Sequence, residues 1–435
     1  MSHHPFRTVT CGELRKSDAE KQAILSGWVH SLRDHGQLIF ITLRDRYGLT
    51  QVVCDENSSK KIFDLAKNLK SEYVLRVTGK VVARPDDMVN KELDTGEIEV
   101  WASDIEILND CKLLPFEIDR EIPVGEDKML KYRYLFLRRL KAREFILKRC
   151  EITKYVRDFL TSKGFLEIET PLLTKTTPEG ARDFLVPSRM FPGTFFALPQ
   201  SPQQYKELLM VAGFDRYFQI ARCMRDEDPR ADRMVEHTQI DMEMSFVSRD
   251  EIINILEEMI IGVTNDVSDK KLMFTPLPRL SYHEVMERYG SDKPDLRFGI
   301  EIKNVTDAVR DSEFRVFSET IKNDGVVKGI VAPGCGQYSR KDLDGVIDIA
   351  KKFGLKGLVW IIPQEDGQIR SSTGKHVAPE TLTEIVKTTD ANTGDLILLA
   401  ADKNETVLNA LGRLRLHFGE ILGLRDPNVV AFAFV

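Results

Sequence analysis

The chain has 435 residues, 42% of them apolar and 30% charged, with a formal net charge of −6. Such a length predicts two or three domains, and such a composition excludes a disordered or fibrous chain. No apolar run approaches the roughly 18 residues of a spanning helix. The start lacks the pattern of a secretory leader, so a cytoplasmic protein away from the membrane is expected, and the acidic balance means that any RNA contact must be local.

Taken in chain order, residues 23–29, 38–43 and 49–53 are short apolar runs between turn residues, which predicts three strands. A helix over 58–69 follows, with Ile62, Leu65, Ala66 and Leu69 on one face, and then strands over 73–82 and 97–107. Five strands with a helix between the third and fourth is the order of an OB-fold barrel, a frequent binder of single-stranded nucleic acid. A charged connector starts at Asp110. A long amphipathic helix comes next, with Phe145, Ile152, Val156, Phe159 and Leu160 at helical spacing and Gly164 as its left-handed stop.

Residues 165–171 alternate apolar and acidic side chains before Pro171, which suits an edge strand. The loop over 177–183 is rich in breakers, and on spacing alone it is an ordinary surface turn. Ser201 is placed as the cap of a helix with Pro202 in its first position and Gly213 at its end. Gln203 and Lys206 share one face of that helix. Two strands follow. In 218–227 the alternate positions are Gln219, Ala221, Cys223, Arg225 and Glu227. In 238–246, Gln239, Asp241, Glu243 and Ser245 lie opposite Ile240, Met242, Met244 and Phe246. A cleft wall and an exposed hairpin with charge pairs fit this periodicity equally well.

A further boundary falls at 291–295. Beyond it, 314–387 mixes helix and strand, 396–401 is a buried strand, 407–422 a helix, and the apolar run 429–435 a core strand. A terminus seldom lies inside a core, so the chain is expected to be truncated. The six cysteines (Cys11, Cys54, Cys111, Cys150, Cys223, Cys335) form no close pair, and reduced thiols are expected.

Phe165-Leu166-Glu167-Ile168-Glu169-Thr170-Pro171 resembles motif 1 of the class II aminoacyl-tRNA synthetases, and Arg225-Asp226-Glu227-Asp228 with the strand after it resembles motif 2. Thr177-Pro178-Glu179-Gly180-Ala181-Arg182-Asp183, Leu198-Pro199-Gln200-Ser201-Pro202-Gln203 and Thr238-Gln239-Ile240-Asp241 resemble the aspartyl-tRNA synthetases in particular. Residues 291–299 and 355–358 resemble the insertion domain of the bacterial-type members.

The resemblance implies an α+β multidomain fold. Its parts are an OB-fold anticodon-binding barrel (1–109), a hinge (110–140), a class II antiparallel-sheet catalytic domain (141–295), an α/β insertion domain (296–393) and a return into the catalytic domain (394–435). It implies an aspartate–tRNA ligase: L-aspartate is activated with ATP, with Mg2+ as cofactor, and the aspartyl group passes to the terminal adenosine of tRNA(Asp). Lys206 would meet the side-chain carboxylate of aspartate. Glu179, Gln203 and Asp241 would surround its ammonium, with Ser201 and Gln239 beside it. Arg225 would grip the α-phosphate and Glu227 the adenine amino group. Positioning and charge stabilisation would carry the chemistry.

In the barrel, Arg33, His35, Phe40 and Gln51 match anticodon-contacting positions. His35 stands where members restricted to tRNA(Asp) differ from those that also charge tRNA(Asn), and histidine points to the second group. Motif 1 implies a homodimer. The third motif of the family, with its ATP-binding arginine and the acids that hold magnesium, would follow Phe434. No metal ligand is assigned, and the 435-residue chain is therefore expected not to form the adenylate. Two rivals are an asparaginyl-tRNA synthetase, against which the cation at Lys206 argues, and a non-catalytic tRNA-binding paralogue, which has no use for so complete a set of pocket residues.

Overall fold

The computed structural model describes residues 6–120, 122–177, 179–230 and 233–435. Pro178 of the loop over 177–183 lies outside them, as do Ala231 and Asp232. The chain forms two compact units, Met1–Leu147 and Lys148–Val435.

The first unit is built on a closed barrel of β1 (Gln22–Asp34), β2 (Leu38–Arg44), β3 (Leu49–Asp55), β4 (Val74–Ala83) and β5 (Ile98–Asn109), in the order β1-β2-β3-β5-β4. Alternation explains it. Ile39, Ile41 and Leu43 of β2 are fully buried, while Phe40 and Thr42 between them face outward. Between β3 and β4, α1 (Lys60–Lys67) is capped by Ser59, whose Oγ accepts from the Ile62 N–H. Its buried stripe centres on Phe63 and Ala66, with Leu69 just beyond, so the expected face was set slightly off: Ile62 and Leu65 are only half-buried.

The connector carries α2 (Glu126–Lys131) and α3 (Arg133–Phe136) and belongs to the barrel's unit, not to a separate hinge. Glu72 is the reason. Its buried carboxylate accepts two hydrogen bonds of 2.8 Å from Arg44 and one of 2.7 Å from Arg138, whose guanidinium also lies over the Trp28 ring.

In the second unit the end of α4 (Leu140–Ser162) leads to β6 (Leu166–Glu167), β7 (Leu185–Pro187), β8 (Phe195–Ala197), α5 (Gln203–Val211), β9 (Arg216–Met224), β10 (Glu236–Met244) and α6 (Arg249–Asp266). Gly164, at φ +81°, makes the left-handed stop of α4. β9 and β10 pair antiparallel, with β6 parallel to β9 as a short edge. One face of this sheet is packed by Val156 and Leu160 of α4 and Met259 of α6 against Phe218, Ile220, Met242 and Met244. The opposite face of β9 and β10 meets α5. Two apolar expectations fail: Phe145 is 80% exposed, and Phe246, with φ +55°, leaves the strand and is 98% exposed.

After β11 (Lys271–Leu272) and α7 (Tyr282–Tyr289), a second sheet is formed by β12 (Lys303–Asn304), β13 (Val326–Ala332), β14 (Val359–Pro363), β15 (Ile369–Ser371) and β16 (Leu396–Asp402), in the order β12-β13-β16-β14-β15. The helices α8 (Arg315–Lys322), α9 (Arg340–Lys352), α10 (Pro379–Thr388) and α11 (Asn404–Ile421) accompany it. This corrects the expected boundary at residue 394. β16 is the middle strand of that sheet, and Val407, Leu411 and Phe418 of α11 complete its core, so neither returns to the catalytic sheet. The run 429–435 is likewise no buried core strand. Only β17 (Val429–Val430) is strand, paired with β11, and Phe432 and Val435 remain exposed.

Arg415 anchors the entry to this module. Almost fully buried, it donates to the carbonyls of Asp295, Phe298 and Ile300 and stacks between the rings of Phe298 and Tyr289, at 4.0 and 4.9 Å. Burial lowers its pKa to about 10. Arg415→Met would strand three carbonyls and should cost about 3–5 kcal/mol, read from the denaturant midpoint. No helix of the described residues is long and apolar enough to cross a membrane.

Candidate active site

The pocket is laid out by strand parity. Pairing of β9 with β10 sets Gln239 opposite Ala221, Asp241 opposite Gln219 and Glu243 opposite Tyr217, so these six side chains share the face turned towards α5. From the second turn of α5, Lys206 reaches this face. Its Nζ lies 2.9 Å from Asp241 Oδ1, 3.4 Å from Glu243 Oε2 and 3.4 Å from the Met242 carbonyl. The lysine is 9% exposed. Burial alone would lower its pKa, but Asp241 and Glu243 outweigh that and hold it above the ordinary value.

Around this triad the polar groups are fixed by neighbours. Gln219 accepts from the Tyr217 hydroxyl at 2.8 Å and from the Thr170 hydroxyl at 3.0 Å, which ties the end of motif 1 to β9. Cys223 donates to Gln239 Oε1 at 3.4 Å. Its thiol is pushed up to about 11, by burial first and then by Asp241, and it also senses Arg225, Glu179 and Lys206. Ser201 donates to Glu179 Oε2 at 2.6 Å. It is not the helix cap: Pro202 holds that position, although Ser201 Oγ does accept from the Gln203 N–H at 3.2 Å.

The loop over 177–183, predicted as a plain turn on spacing alone, is latched in place. Gln200, 1% exposed, exchanges hydrogen bonds with both backbone groups of Ala181 and also holds Asp183. Arg182 bridges to Asp226 through the backbone. Between this loop and the β9–β10 connection lies a cavity of about 530 Å³, lined by Gly180, Arg182, Asp226, Glu227, Arg230 and Arg233 among others.

Three buried polar atoms here have no hydrogen-bond partner: Glu179 Oε1, Arg225 Nε and Asp241 Oδ2. Buried donors and acceptors are ordinarily satisfied, so three orphans in one region make it the candidate binding site. Their chemistry is complementary to a ligand with both charge signs. Asp241 and Glu179 offer carboxylate oxygens to a cation, and Lys206 and Arg225 offer N–H groups to anions. No three His, Cys, Asp or Glu side chains converge as a metal ion would need among the described residues. The magnesium expected from the sequence therefore has no fitting ligand set here.

Not every expected residue joins the pocket. Gln203 turns its amide to Glu207 at 2.7 Å on the exposed side of α5. Arg225 and Glu227 lie beyond the end of β9 at Met224; Arg225 still acts on Cys223 of the pocket face, whereas Glu227 lines the separate cavity. Glu243 and Gln200 received no role from the sequence. The parity of β10 already placed Glu243 beside Asp241, whereas nothing local announced Gln200.

In the barrel, Arg33 and Phe40 are cross-strand partners on the outer surface, and His35 meets Phe40 edge-on at 5.4 Å. Gln51 lies on the same surface, opposite Thr42, and donates to Glu99 at 3.2 Å.

Comparison with known proteins identifies the family. The model of the family "tRNA synthetases class II (D, K and N)" matches residues 125–415, and that of the "OB-fold nucleic acid binding domain" matches residues 23–108. An aspartate–tRNA(Asp/Asn) ligase of Rubrobacter xylanophilus is 48% identical over 432 residues, covering 99% of this chain and 72% of the relative. A ligase of the same name from Moorella thermoacetica is 52% identical over 429 residues, covering 99% and 71%. The match runs along nearly all of this chain, and the comparisons do not establish the truncation expected from the sequence. Among solved structures, the asparaginyl-tRNA synthetase of Pyrococcus horikoshii with asparaginyl-adenylate aligns with a TM-score of 0.56 at 17% identity, covering 98% of this chain and 99% of that one. The aspartyl-tRNA synthetase of Entamoeba histolytica aligns at 0.53 and 18%, covering 96% and 91%. At such identities these two show the fold alone.

Proposed function

Since the chain belongs to the class II tRNA synthetases (D, K and N), we propose from its pocket that it is an aspartate–tRNA ligase, which activates L-aspartate with ATP and transfers it to tRNA. Membership brings tRNA, an amino acid and ATP as partners, and ATP with Mg2+ in general as reaction components. The observation that carries the choice of aspartate is Lys206. A buried ammonium held on the face of β9 and β10 suits a carboxylate, whereas an amide gains far less from it.

In this reading Lys206 binds the side-chain carboxylate of the substrate, and the free oxygens of Asp241 and Glu179 take its ammonium, with Ser201 and Gln239 alongside. Gln203 would have to leave Glu207 to take part. The α-carboxylate oxygen then bonds to the α-phosphorus of ATP as the bond to pyrophosphate breaks. Arg225 donates to the phosphoryl oxygens where negative charge accumulates, which is electrostatic stabilisation with no protein nucleophile. Glu227 accepts from the adenine amino group.

Two finer assignments follow. The aligned relatives carry the name Asp/Asn, and His35 sits against Phe40, so the chain charges tRNA(Asn) as well as tRNA(Asp). The exposed apolar side chains Leu166, Leu172, Leu173, Leu185, Phe191 and Phe195 fit the contact face of a homodimer.

Phe40→Ala should weaken tRNA binding about 5- to 150-fold, the range of one stacked base, with aspartate binding unchanged. Filter binding checks the first and equilibrium dialysis the second. Charging of purified tRNAs by the product of the complete reading frame tests the function: aspartate should be attached to both tRNAs. Attachment to tRNA(Asp) alone would remove the broader assignment, and attachment of asparagine would remove the ligase reading.

A further inference from the structure

The ammonium of Lys206 is already engaged. It donates to Asp241 Oδ1 and to the Met242 carbonyl, and Glu243 Oε2 lies 3.4 Å away as a second ion-pair partner. An ammonium has three N–H groups, so a substrate carboxylate that approaches the third competes with Glu243 for it. Met242 is backbone, paired with Phe218 in the middle of β10. Asp241 is the nearest at 2.9 Å, its side chain is 9% exposed, and its other oxygen is the buried orphan that suits the substrate ammonium. Glu243 differs on each count. It lies at 3.4 Å, its side chain is 29% exposed, and Lys206 is its one ion-pair partner among the described residues.

We propose that Glu243 is an affinity- and specificity-determining residue, an internal competitor that occupies Lys206 in the manner of the substrate's own side-chain carboxylate and yields to it. This rests on the reading of Lys206 as the carboxylate partner. Exchange is one carboxylate for another, so the lysine stays ion-paired throughout and never stands as a bare buried cation. The released Glu243 turns to water, which its exposure allows at little cost. Its charge nevertheless opposes a second carboxylate nearby, and it opposes a neutral amide much less. Glu243 thus weakens aspartate binding and narrows the margin by which aspartate is preferred over asparagine, in return for an ordered lysine and easier release.

The experiment is equilibrium dialysis of labelled aspartate and asparagine against the product of the complete reading frame, with Glu243→Gln, Glu243→Ala and Glu243→Asp beside the unaltered protein. Both neutral variants should bind aspartate about 3- to 10-fold more tightly, the scale of one partly exposed ion pair. Asparagine should change less, and Glu243→Asp should stay near the parent. In exchange kinetics KM for aspartate should fall while kcat does not rise. Weaker aspartate binding in the neutral variants, or an equal change for both ligands, would overturn the proposal and make Glu243 a structural prop of Lys206. If the unaltered protein fails to bind aspartate, the failure lies with the Lys206 reading itself.

Discussion

Lys206→Met should weaken L-aspartate binding by about 10²–10³-fold, the consequence of removing one partner of a desolvated charge pair. Two effects add. The ligand carboxylate loses its cation, and Asp241 and Glu243, which now share Lys206, face each other with no positive charge between them. Asparagine, with no charge at that end, should lose much less, so the preference between the two amino acids should collapse. Titration of both ligands against the variant checks this, and circular dichroism of variant and parent controls for loss of the fold. Comparable affinity of variant and parent for aspartate would show that the carboxylate is bound elsewhere.

Arg225→Gln should lower aspartate-dependent ATP–pyrophosphate exchange by about 10²–10³-fold, the usual cost of removing one donor aimed at developing charge. Aspartate affinity should be nearly unchanged. The buried, unpartnered Nε of Arg225 motivates the prediction: the group is held in place and unsatisfied, as a preorganised donor must be. The side chain sits just past the end of β9, and its backbone N–H is held by the Val235 carbonyl at 2.8 Å, so the guanidinium is presented from a fixed base. A fall in affinity with no fall in turnover would instead make Arg225 a ground-state contact.

The pattern of agreement and failure is physical. The barrel was legible because its strands alternate and its helix is capped where Ser59 stands, both local signals. That Gln239, Asp241 and Glu243 fall on one side of β10 was legible for the same reason, but parity alone left a cleft wall and an exposed hairpin equally open. That Lys206 would arrive over that face could not be read, because it depends on how α5 packs against the sheet. The place of β16 was hidden too. An apolar run announces burial but not its neighbours, and strand order is set by contacts far apart in sequence. Phe145 and Phe246 misled because an apolar side chain at the right spacing need not be inside, and Phe246 sits on backbone of positive φ that ends the strand. The turn of Gln203 towards Glu207 is an i,i+4 contact that was open to anticipation.

The central claim is that the cation of Lys206, held on the β9–β10 face, selects a dicarboxylic amino acid. Its most direct test is ATP–pyrophosphate exchange by the product of the complete reading frame, driven in turn by aspartate, asparagine and lysine, the three amino acids of the family. Exchange with aspartate alone, lost in Lys206→Met, is the predicted result; exchange driven by asparagine or lysine, or exchange with aspartate that survives the loss of Lys206, would contradict it.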